Sequence, residues 1–177
     1  AGGAPRASIS MGKGDIDLAE KILGGCFLLQ VIVSLILTVV LSLFGENLLL
    51  AFGASENTIS YATSYLSIYA LGTLFVQLTL GMNAFVTAQG FTKVSMISVA
   101  VGAIINIVLD PIMIFGFHMG VRGAALATVI SQAISCTVVL IFLCSKKSLL
   151  RLKLNNLNIK PQVVLPCIAL GTAAFIM

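Results

Sequence analysis

Four long apolar stretches, Ile22–Phe44, Tyr61–Val86, Val94–Phe117 and Ala124–Cys144, dominate the chain, each of 21 to 26 residues. A helix rises about 1.5 Å per residue, so roughly 20 apolar residues cross the hydrocarbon of a bilayer. The pattern therefore predicts an all-α membrane protein, a polytopic helical bundle with four crossings. Composition agrees: 59% of residues are apolar and 9% charged, against about 25% charged in soluble domains. A soluble enzyme is thereby excluded. The first stretch is too long for a signal peptide and no small-residue cleavage site follows it.

The remaining sequence divides around these crossings. Residues 1–21 read as the end of a preceding helix and a loop, 145–160 as a basic hinge or amphipathic linker between two membrane bundles, and 161–177 as the start of a further crossing. The chain lacks an initial Met and ends within an apolar run, which is expected of a piece of a longer membrane protein. Asp17–Glu20 has capping-box spacing, Gly53–Glu56 offers a helix stop and a new start, and Thr92 is a candidate N-cap. The outer loops are expected at Gly45–Ser60 and His118–Gly123.

Short turns force the crossings to run up and down, which sorts the charges. Arg6, Lys13, Lys21, Lys93, Lys146, Lys147, Arg151, Lys153 and Lys160 fall on one side and Arg122 alone on the other. Nine against one is a positive-inside bias that assigns residues 1–21, 89–93 and 145–160 to the cytoplasm. The same distribution accounts for the net charge of +4 without a nucleic-acid partner. The four cysteines form no CxxC and have no His beside them, so buried free thiols are expected rather than a metal or redox centre.

The crossings carry polar stripes. Ser98, Gly102, Asn106 and Asp110 recur every fourth residue in the third crossing, and Tyr61, Tyr65, Tyr69, Thr73 and Gln77 do so in the second. The fourth carries Thr128, Ser131, Gln132 and Ser135 on one face. Such stripes face neighbouring helices or water. Packing alone explains Ser and Thr well and a carboxylate poorly. Asp110 is the only Asp, Glu, Lys, Arg or His within the four stretches, and an intramembrane charge costs about 2.5–3.5 kcal/mol on insertion scales. Pro111 comes directly after it, freeing a backbone carbonyl and predicting a kink. Asn106, one turn back, is within reach of the carboxylate. An Asp that only supports the kink is the structural alternative.

Counting rises along the crossings puts Asp110, Thr128, Tyr65 and Tyr69 at one level in the outer half, with Asn83 deeper. Asp110, Asn106, the carbonyl freed by Pro111 and a hydroxyl are oxygen-rich partners suited to a hard cation or a proton.

Three segments carry a family resemblance: Asn83-Ala-Phe-Val-Thr-Ala-Gln-Gly90, Ile105-Asn106-Ile-Val-Leu-Asp110-Pro111 and Gly120-Val-Arg-Gly-Ala-Ala-Leu-Ala-Thr128. Together with Met11–Lys21 they resemble the multidrug and toxic compound extrusion antiporters, from the end of helix two to the start of helix seven. The resemblance implies part of the amino-terminal six-helix lobe of a twelve-helix transporter in the cell membrane. It implies polyspecific export of small organic, cationic, amphipathic compounds coupled to H⁺ or Na⁺, with no other cofactor. Asn106, Asp110 and Thr128 match the coupling residues of one branch, and Tyr65 matches a helix-four Tyr; a helix-one carboxylate of that site lies outside the chain. Asp110 would alternate between a cation-bound and a free state, driven by about 2.3 kcal/mol per charge per 100 mV. Tyr69, Asn83, Met82, Met113 and Gln132, with Phe75, are candidate cavity residues. Rival expectations are a lipid-linked saccharide flippase of the same broader fold and a non-transporting membrane subunit. A flippase would need cationic side chains for a pyrophosphate, and the four stretches contain none.

Overall fold

The computed structural model describes residues 2–53, 55, 58–153, 156 and 161–176. Every regular element among them is helical: α1 Gly3–Gly12, α2 Ile16–Ala51, α3 Ile59–Ala88, α4 Thr92–Pro111, α5 Gly120–Cys144 and α6 Pro161–Ile176. A π-helical turn, Ile112–Gly116, extends α4. α2, α3, α4 with its π turn, and α5 are each long and apolar enough to cross a membrane. Their outward faces are rich in exposed aliphatic side chains, Leu43 and Ile107 each at 71% exposure, as a lipid-facing surface requires.

The first crossing is longer than its apolar stretch. Gly45, Glu46 and Asn47 look like a stop, but Leu48-Leu49-Leu50-Ala51 resume the apolar run and α2 continues to Ala51. Gly45 marks a close approach instead, since a Cβ there would lie 2.8 Å from Leu66 Cδ2. The helix ends at Gly53, whose φ of +93° lets its N–H turn back onto Leu50 O. The outer loop expected at Gly45–Ser60 is shortened accordingly. The new start expected at Gly53–Glu56 involves Ala54 and Glu56, which lie outside the described residues.

Two caps also shift. The N-cap of α2 is Asp15, which accepts from Leu18 N at 3.0 Å, and the Asp17–Glu20 box does not form because Asp17 already lies in the first helical turn. Thr92 is the first residue of α4 rather than its N-cap. The turn before it is compressed by Gly90 at φ +87°, with Phe91 N bonding back to Val86 O, and Phe91 packs edge-on to Phe142 at 5.0 Å. Helix α4 therefore starts one residue early.

α3 and α5 run parallel through the middle, with α2 and α4 antiparallel on their flanks. Arg122 Nη2 reaches Ser64 Oγ at 3.5 Å, and Thr79 Oγ1 donates to Gln132 O at 3.4 Å. Between these points α3 and α5 touch closely, because a Cβ on Gly72 would lie 2.4 Å from Val129 Cγ2. Thr38 Oγ1 donates to Ala70 O at 2.9 Å and ties α2 to α3. The apolar core gathers Ala7, Leu23, Met82, Val86, Leu143 and Leu150 at the end of the bundle opposite Arg122.

That core-bearing end also collects the basic residues. The segment after α5 is docked there, with Lys153 Nζ on Glu20 Oε2 at 2.6 Å. The part described is held against the helices; residues 154–155 and 157–160 of the linker lie outside the described residues. Cys26, Cys136 and Cys167 are buried thiols, but Cys144 is exposed at the end of α5.

Candidate functional site

α4 and α5 meet along their polar stripes in a regular antiparallel register. Ser135 Oγ donates to Ser98 O at 2.8 Å, and a Cβ on Gly102 would sit 3.1 Å from Ser135 Cβ. One turn farther, Asn106 Nδ2 is 3.5 Å from Thr128 Oγ1, and farther still Met113 lies over Gly123, whose Cβ would be 2.8 Å from its carbonyl. The four-residue repeat of α4 keeps its small and polar positions on this seam.

Asp110 stands above Asn106 on the seam. Asn106 Nδ2 donates to its Oδ1 at 3.4 Å, so one amide nitrogen bridges a carboxylate and a hydroxyl. Both contacts are long for hydrogen bonds. Thr128 Oγ1 donates its own proton to Ala124 O at 3.0 Å, which leaves its lone pairs turned toward Asn106. All three side chains are half-buried.

Pro111 acts as the sequence suggests, but through a π turn rather than a simple bend. Lacking an N–H, it breaks the i→i−4 ladder directly after Asp110. The chain then widens, and Phe117 N bonds to Ile112 O, five residues back, at 3.0 Å. Such turns concentrate at functional positions in helices.

Beside the triad, α3, α4 and α5 enclose a cleft of about 290 Å³ whose wall includes Thr79, Asn106, Thr128, Ser131, Gln132 and Ser135. Gln132, one of the candidate cavity residues, is part of this wall. A larger hollow of about 460 Å³ lies between α1, α2, α3 and α6, bordered by Cys26, Gln30, Gln77 and Cys167. Gln77 belongs to this second hollow, so the α3 stripe does not line one common cavity with those of α4 and α5.

The remaining candidates separate. Tyr65 and Tyr69 stack at 5.8 Å with ring planes 18° apart, but no described hydrogen bond joins them to the triad. The Gly72–Val129 contact sets Thr128 level with residues 71–72, so Tyr65 lies about 9 Å toward the Arg122 end. Tyr69 lies within one turn of that level, so the equal-depth expectation departs at Tyr65. Met82 is fully buried in the core and offers no surface to a cavity. Asn83 is buried at 7% exposure, accepting from Ser98 Oγ at 3.0 Å, with its Nδ2 unpartnered among the described residues. Its place is between α3 and α4 rather than on a cleft wall. Met113 is half-buried in the π turn.

Two polar residues that sequence reasoning passed over are Glu20, at 6% exposure, and Gln89, at 8%. Both face the segment after α5. The available signal was an acid at the head of an apolar helix on the side that carries the basic linker.

Four membrane-length helices packed around a polar seam, with one carboxylate on it, define a multi-pass α-helical membrane protein. The MatE family model matches residues 1–112. The multidrug export protein MepA of Staphylococcus haemolyticus is 34% identical over 148 residues, covering 84% of this chain and 33% of that protein. Two solved structures superpose closely. One is an inward-facing multidrug resistance MATE family transporter of the MOP superfamily, with a TM-score of 0.90 and 21% identity over 97% of this chain and 39% of that one. Its outward-facing counterpart gives 0.87 and 21% over 94% and 37%. The chain belongs to the MatE family, the multidrug and toxic compound extrusion transporters of the cell membrane. It spans about a third of the length of the curated relative. The family consists of transporters and not of enzymes.

Proposed function

We propose that this chain forms part of the amino-terminal lobe of a cation-coupled multidrug antiporter, with Asp110, Asn106 and Thr128 as its coupling site. The observation that carries this is the convergence of the Asp110 carboxylate, an amide and a hydroxyl where α4 turns from α to π geometry. The Asn106 nitrogen lies between two oxygens, the position a small cation would take. Turning the amide by half a revolution would bring its Oδ1 inward and present three oxygens of the kind a hard cation takes as ligands. A proton on Asp110 would neutralise the same charge, so H⁺ and Na⁺ share one site.

Binding of either cation removes the reason for Asn106 to bridge the carboxylate and the hydroxyl. The π turn, beginning two residues after Asp110, is the element able to respond by repacking. Substrate contacts are assigned to Gln132 on the cleft wall, to Met113 in the π turn and, toward the Arg122 end, to the stacked Tyr65–Tyr69 pair, whose faces suit an organic cation. Among the described residues the cleft wall carries no Lys or Arg, which favours cationic over anionic cargo. Met82 and Asn83 are excluded from that role by their burial.

The test is Asp110→Asn in the full-length transporter, with efflux of a fluorescent organic cation measured at normal expression. Export is expected to fall at least tenfold, with loss of its dependence on pH and Na⁺. Wild-type export with unchanged ion dependence would sink the coupling role.

A further inference from the structure

The segment from Ser145 to Lys153, with Asn156, is held to the lobe at three separate points. At the first, Gln89 Oε1 accepts from Ser148 Oγ at 2.8 Å and from Leu150 N at 2.9 Å, while Gln89 Nε2 donates to Phe85 O at 3.2 Å. A buried amide thereby grips the strap through its oxygen, while its nitrogen is anchored on the preceding turn of α3. At the second, Glu20 accepts from Arg151 N at 3.2 Å, Lys153 Nζ at 2.6 Å and Asn156 Nδ2 at 3.4 Å. At the third, the Asn156 backbone lies directly on α2, where a Cβ on Gly24 would come within 2.3 Å of its carbonyl oxygen. Leu152 N also bonds to Leu143 O at 3.1 Å.

Between the two polar grips, Leu150 is fully buried in the same core as Leu23, Val86 and Leu143. The strap therefore closes the core from below with an apolar plug and supplies the described partners of Glu20 and of the Gln89 oxygen. A carboxylate buried without partners is strongly unfavourable, so Glu20 and the strap each require the other. Basic loops after membrane helices are ordinarily solvated, and nothing in the composition of this one demands docking.

We propose that this strap is a fixed part of the lobe, with Glu20 and Gln89 as positioning residues that weld it in place, and that it is not the joint about which the two bundles move. The docking stands on geometry alone; the statement about motion rests on the transport function proposed above.

Trypsin supplies the first test, because Arg151 and Lys153 are cleavage sites and a protease needs its segment released from the surface. In the detergent-purified full-length transporter, cleavage after Arg151 and Lys153 is expected to be at least tenfold slower in the wild type than in Glu20→Gln. Gly24→Ala, which displaces the strap without touching Glu20, is expected to accelerate the same two cuts while the other fragments and the thermal midpoint stay near wild type. Equal cleavage rates in the wild type and both variants would overturn the docking.

The second test locks the strap. In a cysteine-free background, Leu143→Cys on α5 and Leu152→Cys on the strap, neighbours through the Leu152 N–Leu143 O bond, are bridged by a short bifunctional thiosulfonate. Export of the organic cation is expected to survive cross-linking at half or more of its level before bridging. Export that is lost on bridging and restored by reduction would show that the strap moves and would overturn the proposal. If Asp110→Asn left export intact, the coupling site would fail while the protease result still judged the strap.

Discussion

At the scale of single residues, the seam between α4 and α5 sorts its polar groups into two kinds. Ser98 and Ser135 are buried and bonded across the helix pair, which is the ordinary use of small polar residues in membranes. Asn106, Asp110 and Thr128 are half-buried, with long contacts. The difference predicts opposite phenotypes. Thr128→Val keeps the shape but removes the lone pair facing Asn106, and the cation concentration for half-maximal export should rise about 5- to 30-fold, equivalent to roughly 1–2 kcal/mol. Ser135→Ala should instead lower the thermal midpoint, at a cost of about 1 kcal/mol, and leave the cation dependence unchanged. Reversal of the two patterns would mean that the sorting is wrong. Asp110 and Asn106 were legible in the sequence because a charge in an apolar run is conspicuous. The burial of Met82 and Asn83 was not, because one residue's spacing on a helix does not say which neighbour covers it.

At the scale of elements, the decisive feature is the π turn after Pro111. Proline in a helix interior is disfavoured by about 3 kcal/mol relative to alanine, and here the mismatch is absorbed by widening the ladder over Ile112–Gly116. Pro111→Ala removes the obstacle, and an α-helical ladder through this stretch would rotate the downstream residues by about 100°, the angle of one residue. The expected result is export reduced at least tenfold with a thermal midpoint no lower than wild type. Unchanged export at unchanged stability would show that the π turn has no part in the cycle. Proline at this position announces an interrupted helix in any sequence, but whether the helix kinks or widens depends on its packing neighbours. Here the Met113 backbone rests on Gly123 of α5, which only the paired helices reveal.

At the scale of the whole molecule, the up-and-down course of the crossings follows from short turns and apolar lengths. The sidedness predicted from the charges has a direct check. A cysteine replacing Lys93 should react with a membrane-impermeant maleimide only from the cytoplasmic face, and one replacing His118 only from the outside; the reverse pattern would invert the topology.

The sequence by itself determined the crossings, their alternation, the charge asymmetry and the isolated carboxylate, because each follows from local chemistry facing a bilayer. Helix ends were legible only to within a few residues, since Gly45 and Thr92 resemble boundaries until their neighbours are known. The tertiary structure alone decided the shared level of Asn106 and Thr128, the separation of Tyr65 from them, and the docking of Ser145–Lys153 on Glu20 and Gln89. Those are contacts between residues as many as 133 positions apart. Lateral helix register and strap docking are set by close packing between distant segments, and no local pattern along the chain encodes either one.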